Sequence, residues 1–243
     1  MRRTLMRYEL LLVVLGCMGF GGCARGNSST PADSANAQAS RPHDSARASA
    51  EKNGSAKRDD RRTLLFVGTS LTAGYGLDPD SAYPQQIQRM IDSAGFRYTV
   101  VNAGVSGETS SALIRRLDWL LRQPLGVVVI ETGANDGLRG IPIETMRANI
   151  QQIIERVRRA RPGAQVVLVQ MEAPPNLGAQ YTRQFREVFR DVAKRNDAVL
   201  LPFLLQDVAG NRDLNQADGI HPNNDGERIV ARNVWKGLRP LLQ

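Results

Sequence analysis

Beyond residue 23 this 243-residue sequence contains no cysteine. Its two cysteines, Cys17 and Cys23, lie in an apolar segment near the start, so the rest of the chain can hold no disulfide, no thiol nucleophile and no zinc site with cysteine ligands. Histidine is equally scarce, with His43 in a polar tract and His221 near the end. This excludes a metal centre with several histidine ligands, and we expect the protein to need neither a metal nor another cofactor.

Aromatic residues are also few, at 5% of the chain. The formal net charge of +8 raises the question of nucleic acid binding, but residues 1–62 carry +5 of it and residues 63–243 only +3. Nor do aromatic residues alternate with basic runs in the second part, as a platform for stacked bases would require. We therefore expect no nucleic acid partner.

The first 22 residues resemble an export signal. Three arginines within the first seven residues precede a short apolar run at residues 10–15, and small residues then lead to Cys17 and Cys23. A membrane span would need about 20 apolar residues. Small residues directly before a cysteine resemble the lipobox of bacterial lipoproteins, whose cysteine is lipidated after cleavage, and Cys23 is favoured because polar sequence starts only after it. The alternative is an ordinary secreted protein that loses both cysteines with its signal.

Residues 24–62 contain no Val, Ile, Leu, Met, Phe, Tyr or Trp, whereas nine Ala and seven Ser stand among these 39 residues. Such a stretch cannot bury a core and is predicted to stay disordered, with a span of roughly 35 Å as a flexible coil. The predicted organisation is therefore a signal peptide at 1–22, a tether at 23–62 that carries the lipid on Cys23, and one folded domain at 63–243. We expect a monomer that is exported to the bacterial cell envelope and lipid-anchored in a membrane.

The folded part alternates short apolar runs with longer amphipathic stretches. The apolar runs predict five buried strands, at residues 64–67, 98–101, 126–130, 166–169 and 198–201. The amphipathic stretches predict helices at residues 81–94, 110–122, 143–159, 179–195 and 224–238. Alternation of this kind is typical of a parallel sheet with helices on both faces, in which the site lies beyond the carboxyl ends of the strands.

The first strand is followed by GTSLTAGYG at residues 68–76. A phosphate-binding loop is excluded because no Lys precedes a Ser or Thr there, and the G-x-S-x-G elbow is excluded because Thr72 stands where its second Gly should be. What remains is Ser70 at a junction of strand and turn, either as an exposed hydroxyl or as a helix cap. Near the C-terminus, Asp218 precedes His221 by three residues and could orient its ring as a base, unless His221 is simply a surface residue.

Two further glycine-rich turns, NAGVSGETS at 102–110 and GANDGLRG at 133–140, are each explained as tight turns when taken alone. Together with GTSLTAGYG and with DGIHPN at 218–223 they resemble the ordered blocks of the SGNH (GDSL-type) hydrolases, over about residues 63–240. The resemblance implies a flavodoxin-like three-layer α/β/α sandwich with a five-stranded parallel sheet in the order 2-1-3-4-5.

The same resemblance implies the roles of five residues. Ser70 matches the nucleophile, His221 the base and Asp218 the acid that orients it, while Ser70, Gly104 and Asn135 match the oxyanion hole. Ester hydrolysis needs such an activated nucleophile and fixed donors for a developing oxyanion.

One position departs from the family. The family writes Gly-Asp-Ser at the nucleophile, whereas this chain has Thr69 before Ser70. We therefore expect the carboxylate hydrogen bonds that hold this turn to be missing, with one Thr hydroxyl in their place.

The resemblance further implies a loop over an acyl pocket, with four substrate-binding residues, Gly137, Leu138, Arg139 and Ile141, and with Pro174 on the opposite wall. The expected function is a serine esterase that hydrolyses short to medium acyl or aryl esters through an acyl-enzyme, with thioesters and lysophospholipids as further candidate substrates. Two alternatives remain open. One is a carbohydrate or cell-wall O-acetylesterase, and the other is a lipoprotein that binds acyl ligands without turnover because of Thr69.

Overall fold

The computed structural model describes residues 61–242, which form one alternating series of strands and helices. The strands are β1 (Arg62–Gly68), β2 (Tyr98–Gly104), β3 (Val127–Ile130), β4 (Gln165–Val169) and β5 (Val199–Leu201). The helices are α1 (Ser70–Ala73), α2 (Tyr83–Ser93), α3 (Ser110–Leu120), α4 (Ala134–Leu138), α5 (Ile143–Ala160), α6 (Ala179–Arg195) and α7 (Asn224–Leu238). The predicted signal peptide, the lipidated Cys23 and nearly all of the predicted tether lie outside the described residues.

The five strands form one parallel sheet in the order β2-β1-β3-β4-β5. The predicted flavodoxin-like order is therefore confirmed. The helices α3, α5 and α6 pack side by side on one face and α2 packs against α7 on the other, as expected when every crossover between parallel strands is right-handed. Each long helix consequently runs antiparallel to the strands, from the carboxyl end of the sheet to its amino end.

The core lies between the sheet and its two helical layers. Every residue of β3 and residues 64–67 of β1 are fully buried, as expected for parallel strands that are covered on both faces. The helices bury a single stripe, which in α5 consists of Met146, Ile150, Ile153, Ile154 and Val157. Truncating one of the large buried side chains, such as Leu65, to Ala would cost about 2 to 5 kcal/mol.

The predicted elements differ from the structure mainly at their ends. The helix predicted from residue 81 starts at Tyr83, because Pro84 occupies its first turn and a separate 3₁₀ turn covers Pro79–Ser81. β2 continues to Gly104, three residues beyond its predicted end. No helix within residues 61–242 is long and apolar enough to cross a membrane.

Side-chain caps fix the turns at the carboxyl end of the sheet. The Thr69 hydroxyl accepts the Leu71 N–H at the start of α1, and Thr109 accepts the Ala112 N–H at the start of α3. These caps satisfy backbone N–H groups that have no partner within their helices. The chain therefore turns sharply from each strand into its helix, which brings the segments after β1, β2 and β3 together.

Candidate active site

The three side chains predicted to carry the chemistry form one hydrogen-bonded series at the carboxyl end of the sheet. His221 Nε2 lies 2.8 Å from Ser70 Oγ, and His221 Nδ1 lies 2.6 Å from Asp218 Oδ2. Ser70 opens α1, whereas Asp218 and His221 belong to the loop between β5 and α7. With its Nδ1–H donated to Asp218, the imidazole can accept the Ser70 proton at Nε2. Among residues 61–242 no three His, Cys, Asp or Glu side chains converge as metal ligands would.

Asp218 is held in its ionised form. Its Oδ1 accepts the N–H groups of Ile220 and His221 at 2.9 and 3.0 Å, while its Oδ2 contacts the imidazole. The hydrogen bond from the His221 side chain, followed by those two backbone N–H groups, lowers the pKa of Asp218 to about 2. The carboxylate is therefore charged above about pH 3 and can stabilise the imidazolium that forms when His221 takes a proton.

A buried carboxylate holds the turn that carries Ser70. Glu131, the residue after β3, accepts the Thr69 N–H at 2.7 Å, the Thr69 hydroxyl at 2.9 Å and the Thr72 hydroxyl at 2.9 Å. The expectation that Thr69 leaves this turn without carboxylate hydrogen bonds is therefore wrong, because the neighbouring strand supplies the carboxylate. Hydrogen bonds to a charged group typically contribute about 1.5 to 3 kcal/mol each, so Glu131 is a strong constraint on the position of Ser70.

Glu131 has no exposed surface. Burial raises the pKa of Glu131, and the hydrogen bonds from Thr69 and Thr72 act in the opposite direction. The Thr72 hydroxyl also lies 2.9 Å from the hydroxyl of buried Tyr83. A polar network thus runs from the end of β3, beneath the nucleophile turn, to the start of α2, and each of its hydroxyl groups has a partner.

Two of the three predicted oxyanion donors line the same pocket as the Ser70 hydroxyl. The Ser70 N–H is the first of α1 and so has no acceptor within its helix. The Asn135 side chain donates one N–H to the Glu108 carbonyl at 3.0 Å and keeps the second available. Both groups can therefore donate to an oxygen that becomes negative when Ser70 attacks a carbonyl carbon.

The third predicted donor, Gly104, does not line this pocket. Its N–H donates to the side-chain carbonyl of Asn102 at 3.0 Å, and a Cβ at this position would lie 2.3 Å from the backbone nitrogen of Ala73. The prediction that Gly104 belongs to the oxyanion hole is therefore wrong. Its N–H already has an acceptor, and its missing side chain serves the close approach of α1 to β2.

Gly107 occupies the place in which Gly104 was expected. It lines the pocket with Ser70 and Asn135, and its N–H has no acceptor within the part of the chain that the structure describes. Its φ of +75° is a conformation that favours glycine, and Arg139 Nη2 donates to its carbonyl at 2.9 Å. Sequence reasoning missed Gly107, although the segment NAGVSGETS contains both glycines.

With this geometry established, comparison with known proteins identifies the family. The model of the GDSL-like lipase/acylhydrolase family matches residues 66–229. The chain belongs to this family. Esterase TesA of Pseudomonas aeruginosa is 39% identical over 182 residues, which cover 74% of this chain and 90% of that protein. The thioesterase 1/protease 1/lysophospholipase L1 of Escherichia coli K12 is 38% identical and covers 74% of this chain and 85% of its own.

Solved structures agree with this assignment. The crystal structure of the psychrotrophic esterase EstA from Pseudoalteromonas sp., inhibited by monoethylphosphonate, matches with a TM-score of 0.70 and 34% identity, over 74% of this chain and 97% of that one. This protein is accordingly a serine ester hydrolase with the SGNH fold, as the four sequence blocks predicted.

In this GDSL-family hydrolase the pocket lined by Ser70, Asp218 and His221, the candidate catalytic pocket, has a volume of about 330 Å³. Leu71, Leu138, Tyr75 and Ile220 supply its apolar surface. The Tyr75 ring lies 4.8 Å from the His221 ring, between centroids, at an angle of 42°, and so covers one side of the imidazole. Tyr75 and Ile220 were not predicted as site residues, although both stand within the motifs that identified the family.

Four residues between positions 137 and 141 were predicted to bind substrate, and of these Leu138 alone lines this pocket. The expected loop begins as a helix, because α4 extends through Leu138. Gly137 is buried on the opposite side, where a Cβ would meet the Phe185 ring at 3.2 Å. The prediction of Gly137 as a substrate contact is therefore wrong, and its role is to let α4 pack closely on α6.

Arg139 and Ile141 are also placed outside the pocket lining. The Arg139 guanidinium donates to the Gly107 carbonyl, so it holds the turn that carries Gly107. The Ile141 carbonyl accepts the Tyr181 hydroxyl at 3.2 Å, which ties the segment after α4 to α6. Both residues were predicted to bind substrate, and both instead hold neighbouring backbone in place.

Pro174 lines a second space of about 680 Å³, which meets the catalytic pocket at Ile220. Near Ile220 this groove is lined largely by apolar side chains, including Pro175. The lining also includes an ion pair, in which Arg186 donates to both carboxylate oxygens of Glu172, at 2.8 and 2.5 Å. The predicted wall at Pro174 therefore belongs to a groove that extends the catalytic pocket.

Proposed function

We propose that the protein hydrolyses short to medium acyl or aryl esters through an acyl-enzyme formed on Ser70. The observation that carries the proposal is the continuous contact from Asp218 through His221 to Ser70, at 2.6 and 2.8 Å, beside N–H groups without acceptors. Ester hydrolysis needs an activated nucleophile and fixed donors where negative charge develops. All of these groups come from one chain, which supports action as a monomer.

In the acylation step Ser70 Oγ attacks the ester carbonyl carbon while its proton moves to His221 Nε2. The carbonyl oxygen becomes negative and accepts hydrogen bonds from the Ser70 N–H, the Gly107 N–H and the Asn135 amide. The tetrahedral intermediate then collapses, the ester C–O bond breaks, and His221 gives its proton to the leaving alcohol. Ser70 is left as an ester of the acyl group.

In the deacylation step a water molecule attacks the acyl carbon, and His221 takes a proton from it. A second oxyanion forms in the same hole. Its collapse returns the proton to Ser70 Oγ and releases a carboxylic acid. The ionised Asp218 stabilises the imidazolium in both steps and keeps the ring in the required tautomer.

The groove beside the pocket supports an acyl chain of limited length. The lining of this groove combines apolar surface at Ile220 and Pro174, where it meets the pocket that holds Ser70, with the Glu172–Arg186 ion pair. Apolar atoms gain nothing from contact with a charged pair, and burying that pair costs hydration. This favours chains that end before the ion pair. Thioesters and lysophospholipids remain candidate substrates, since the Escherichia coli relative is named for both activities.

A series of p-nitrophenyl esters from acetate to palmitate tests the proposal, with Ser70→Ala as the inactive control. We expect the largest kcat/KM for butyrate to octanoate, with a decline beyond. Acetylated polysaccharide and lysophosphatidylcholine are assayed beside the series. Activity confined to acetyl groups, above all on the polysaccharide, would replace the proposal with an O-acetylesterase. Binding of acyl ligands without turnover of any ester would establish the non-catalytic alternative, whose basis in Thr69 is weakened by the Glu131 contacts.

We further propose that the protein is exported, cleaved before Cys23 and held at a membrane by a lipid on that cysteine, with residues 24–62 as the tether. The support is the small-residue approach to Cys23 and the absence of large apolar residues after it. Labelled palmitate should enter the wild-type chain and the Cys17→Ala variant, and should not enter Cys23→Ala. Labelling that is lost with Cys17→Ala instead would move the cleavage site.

A further inference from the structure

In the described part of the chain, basic and acidic residues concentrate at opposite ends of the sheet. Each long helix starts at the carboxyl end of the sheet, where the active site lies, and finishes at the amino end. Contacts across the helical layers agree with this direction, since Arg158 near the end of α5 donates to the Asp197 carbonyl just after α6. We call the amino end the basic end, and define it as residues 61–62, 94–98, 121–126, 158–165, 194–198 and 236–242.

The basic end carries eleven basic residues and a single acidic one, Asp197. The basic residues are Arg61, Arg62, Arg97, Arg122, Arg158, Arg159, Arg161, Lys194, Arg195, Lys236 and Arg239. The segments at the carboxyl end have the opposite balance, with nine acidic residues against Arg139 and Arg212 within residues 69–82, 105–109, 131–142, 170–178 and 202–223. Two of the nine, Glu108 and Glu172, pair with Arg116 and Arg186 of the adjoining helices. The modest net charge of the domain therefore conceals a strong separation of charge along the strands.

Most of this positive charge is not neutralised by the protein itself. Among the described residues, Arg61 pairs with Asp92 at 2.9 Å, whereas the basic residues at positions 122, 158, 159, 161, 194, 195, 236 and 239 form no ion pair. The helix macrodipole favours cations in a last helical turn, which accounts for residues such as Lys194. It does not account for Arg122, which follows α3 in a loop.

An exposed tryptophan lies at the margin of this surface. Trp119, in the last turn of α3, is 68% exposed, and with Arg122 and Gln123 it lines a groove of about 520 Å³ beside β2. A large aromatic side chain gains little from such exposure to water alone. Tryptophan next to arginine is the combination found where proteins meet the headgroup region of a bilayer.

We propose that the basic end docks on a bilayer surface that contains anionic phospholipid, with Trp119 in the headgroup region. The described chain begins here, because Arg61 directly precedes β1, and the proposed lipidated cysteine lies 38 positions earlier in the sequence. The inference thus rests on the proposed membrane anchor, which would bring a bilayer close to this surface. Docking would direct the catalytic pocket away from the membrane, since the pocket lies at the other end of the strands.

The test uses the full-length chain, made with its own signal and reconstituted in vesicles. Trp119 and Trp235 are the two tryptophans of the protein, so a Trp235→Phe background leaves Trp119 as the reporter. Quenching of Trp119 by lipids with brominated acyl chains is compared between vesicles of phosphatidylcholine alone and vesicles with added phosphatidylglycerol. We expect quenching in the anionic vesicles that is lost at high salt, because screening weakens the attraction.

Charge variants identify the surface. The test variant combines Arg122→Gln, Arg159→Gln, Arg195→Gln and Arg239→Gln, and the control combines Arg183→Gln, Arg190→Gln, Arg212→Gln and Arg232→Gln, with the same change of net charge. Each arginine near an anionic surface contributes about fivefold. Four such substitutions should therefore lower the ratio of docked to undocked protein by about 600-fold in the test variant, while the control stays close to the wild type. Hydrolysis of a soluble ester by both variants shows that they are folded.

Flotation of the vesicles separates docking from anchoring. If the protein floats with both vesicle types but Trp119 is not quenched, docking is overturned and the anchor stands. If the protein floats with anionic vesicles alone and Trp119 is quenched there, docking is supported and the anchor is overturned. Equal quenching in neutral vesicles, or an equal loss in the control variant, would overturn the proposal. Shielding of Trp119 by dextran sulfate but not by anionic vesicles would also overturn it, in favour of a soluble polyanion.

Discussion

The backbone N–H of Thr69 donates to the carboxylate of Glu131 at 2.7 Å, so the residue before the nucleophile is fixed to the end of the neighbouring strand. The same carboxylate also holds the hydroxyl groups of Thr69 and Thr72. A displacement of about 1 Å at a nucleophile can cost on the order of 10²-fold in rate. Glu131 is therefore a positioning residue for Ser70, although it touches no substrate.

Replacement of Glu131 by Gln tests this role. One carboxylate oxygen of Glu131 accepts all three donors of Thr69 and Thr72. The amide oxygen of Gln can take its place, but a neutral acceptor forms weaker hydrogen bonds than a charged one, so we expect a total cost of about 1 to 3 kcal/mol. We expect a lower melting temperature, and a kcat about tenfold lower per folded molecule. The exposed Glu187→Gln variant is the control for loss of a charge. Unchanged melting and turnover in Glu131→Gln would contradict the role.

The pairing of Ser70 with His221 predicts non-additive losses. Ser70→Ala and His221→Ala should each lower kcat by on the order of 10³ to 10⁶, and the double variant should be little worse, because the two side chains act as one unit. The measurement is steady-state hydrolysis of one p-nitrophenyl ester by all three variants. Losses that multiply would mean that the two residues act independently. A phosphonate inhibitor should label Ser70, and labelling at Ser106 or Ser110 instead would refute the assignment.

Asn135 tests the oxyanion hole separately from the nucleophile. Asn135→Ala should lower kcat by about 10² to 10³ with little change in KM, since negative charge on the carbonyl oxygen exists mainly in the transition state. The variant also loses the hydrogen bond to Glu108, for which we expect a cost of about 1 kcal/mol. Thermal melting and active-site titration correct the kinetics for that cost. A variant that melts early but turns over normally would remove Asn135 from the mechanism.

Glu227 predicts that the protein loses stability as the pH rises from about 4.5 to about 8. It is 1% exposed, it accepts the Tyr83 N–H at 2.7 Å, and burial raises its pKa from 4.5 to about 8. The folded protein therefore keeps this proton more tightly than the unfolded chain. Stability from this group is fully present below about pH 4.5 and is lost as the pH rises through 8, with a total on the order of 3 to 5 kcal/mol.

The variant Glu227→Gln should remove this dependence, because the amide can accept the Tyr83 N–H without carrying charge. Chemical denaturation at several pH values measures the effect. We expect the variant to match the wild type near pH 4 and to be the more stable protein near pH 9. Parallel curves for the two proteins over this range would show that Glu227 does not titrate as its burial requires.

The fold and the contacts among Asp218, His221 and Ser70 follow from local patterns in the sequence. β3 is a continuous apolar run, and such a run is buried wherever it packs. Asp218 stands three residues before His221, so their contact needs only one turn of backbone. Ser70 lies directly after β1, where the topology of a parallel sheet places functional side chains.

The sequence-based predictions that proved wrong concern contacts between different segments of the chain. Gly104 and Gly107 stand in one glycine-rich motif, and the sequence does not show which N–H has an acceptor. Asn102, two residues before Gly104, is the available signal, since a short amide side chain often accepts a nearby backbone N–H. Glu131 could have been noticed as a carboxylate that directly follows a fully apolar strand. Its partners lie about 60 positions away, however, and no local pattern links them.

The acidic carboxyl end of the sheet also affects how a turnover finishes. Hydrolysis converts a neutral ester into a carboxylate, which forms in a pocket lined by Asp218, at the end of the sheet where acidic residues predominate. Like charges repel, and the repulsion is stronger at low ionic strength. The negative charge at this end of the sheet does not act on a neutral ester, but it repels the carboxylate product. Hydrolysis therefore creates the charge that promotes release of the product from the pocket.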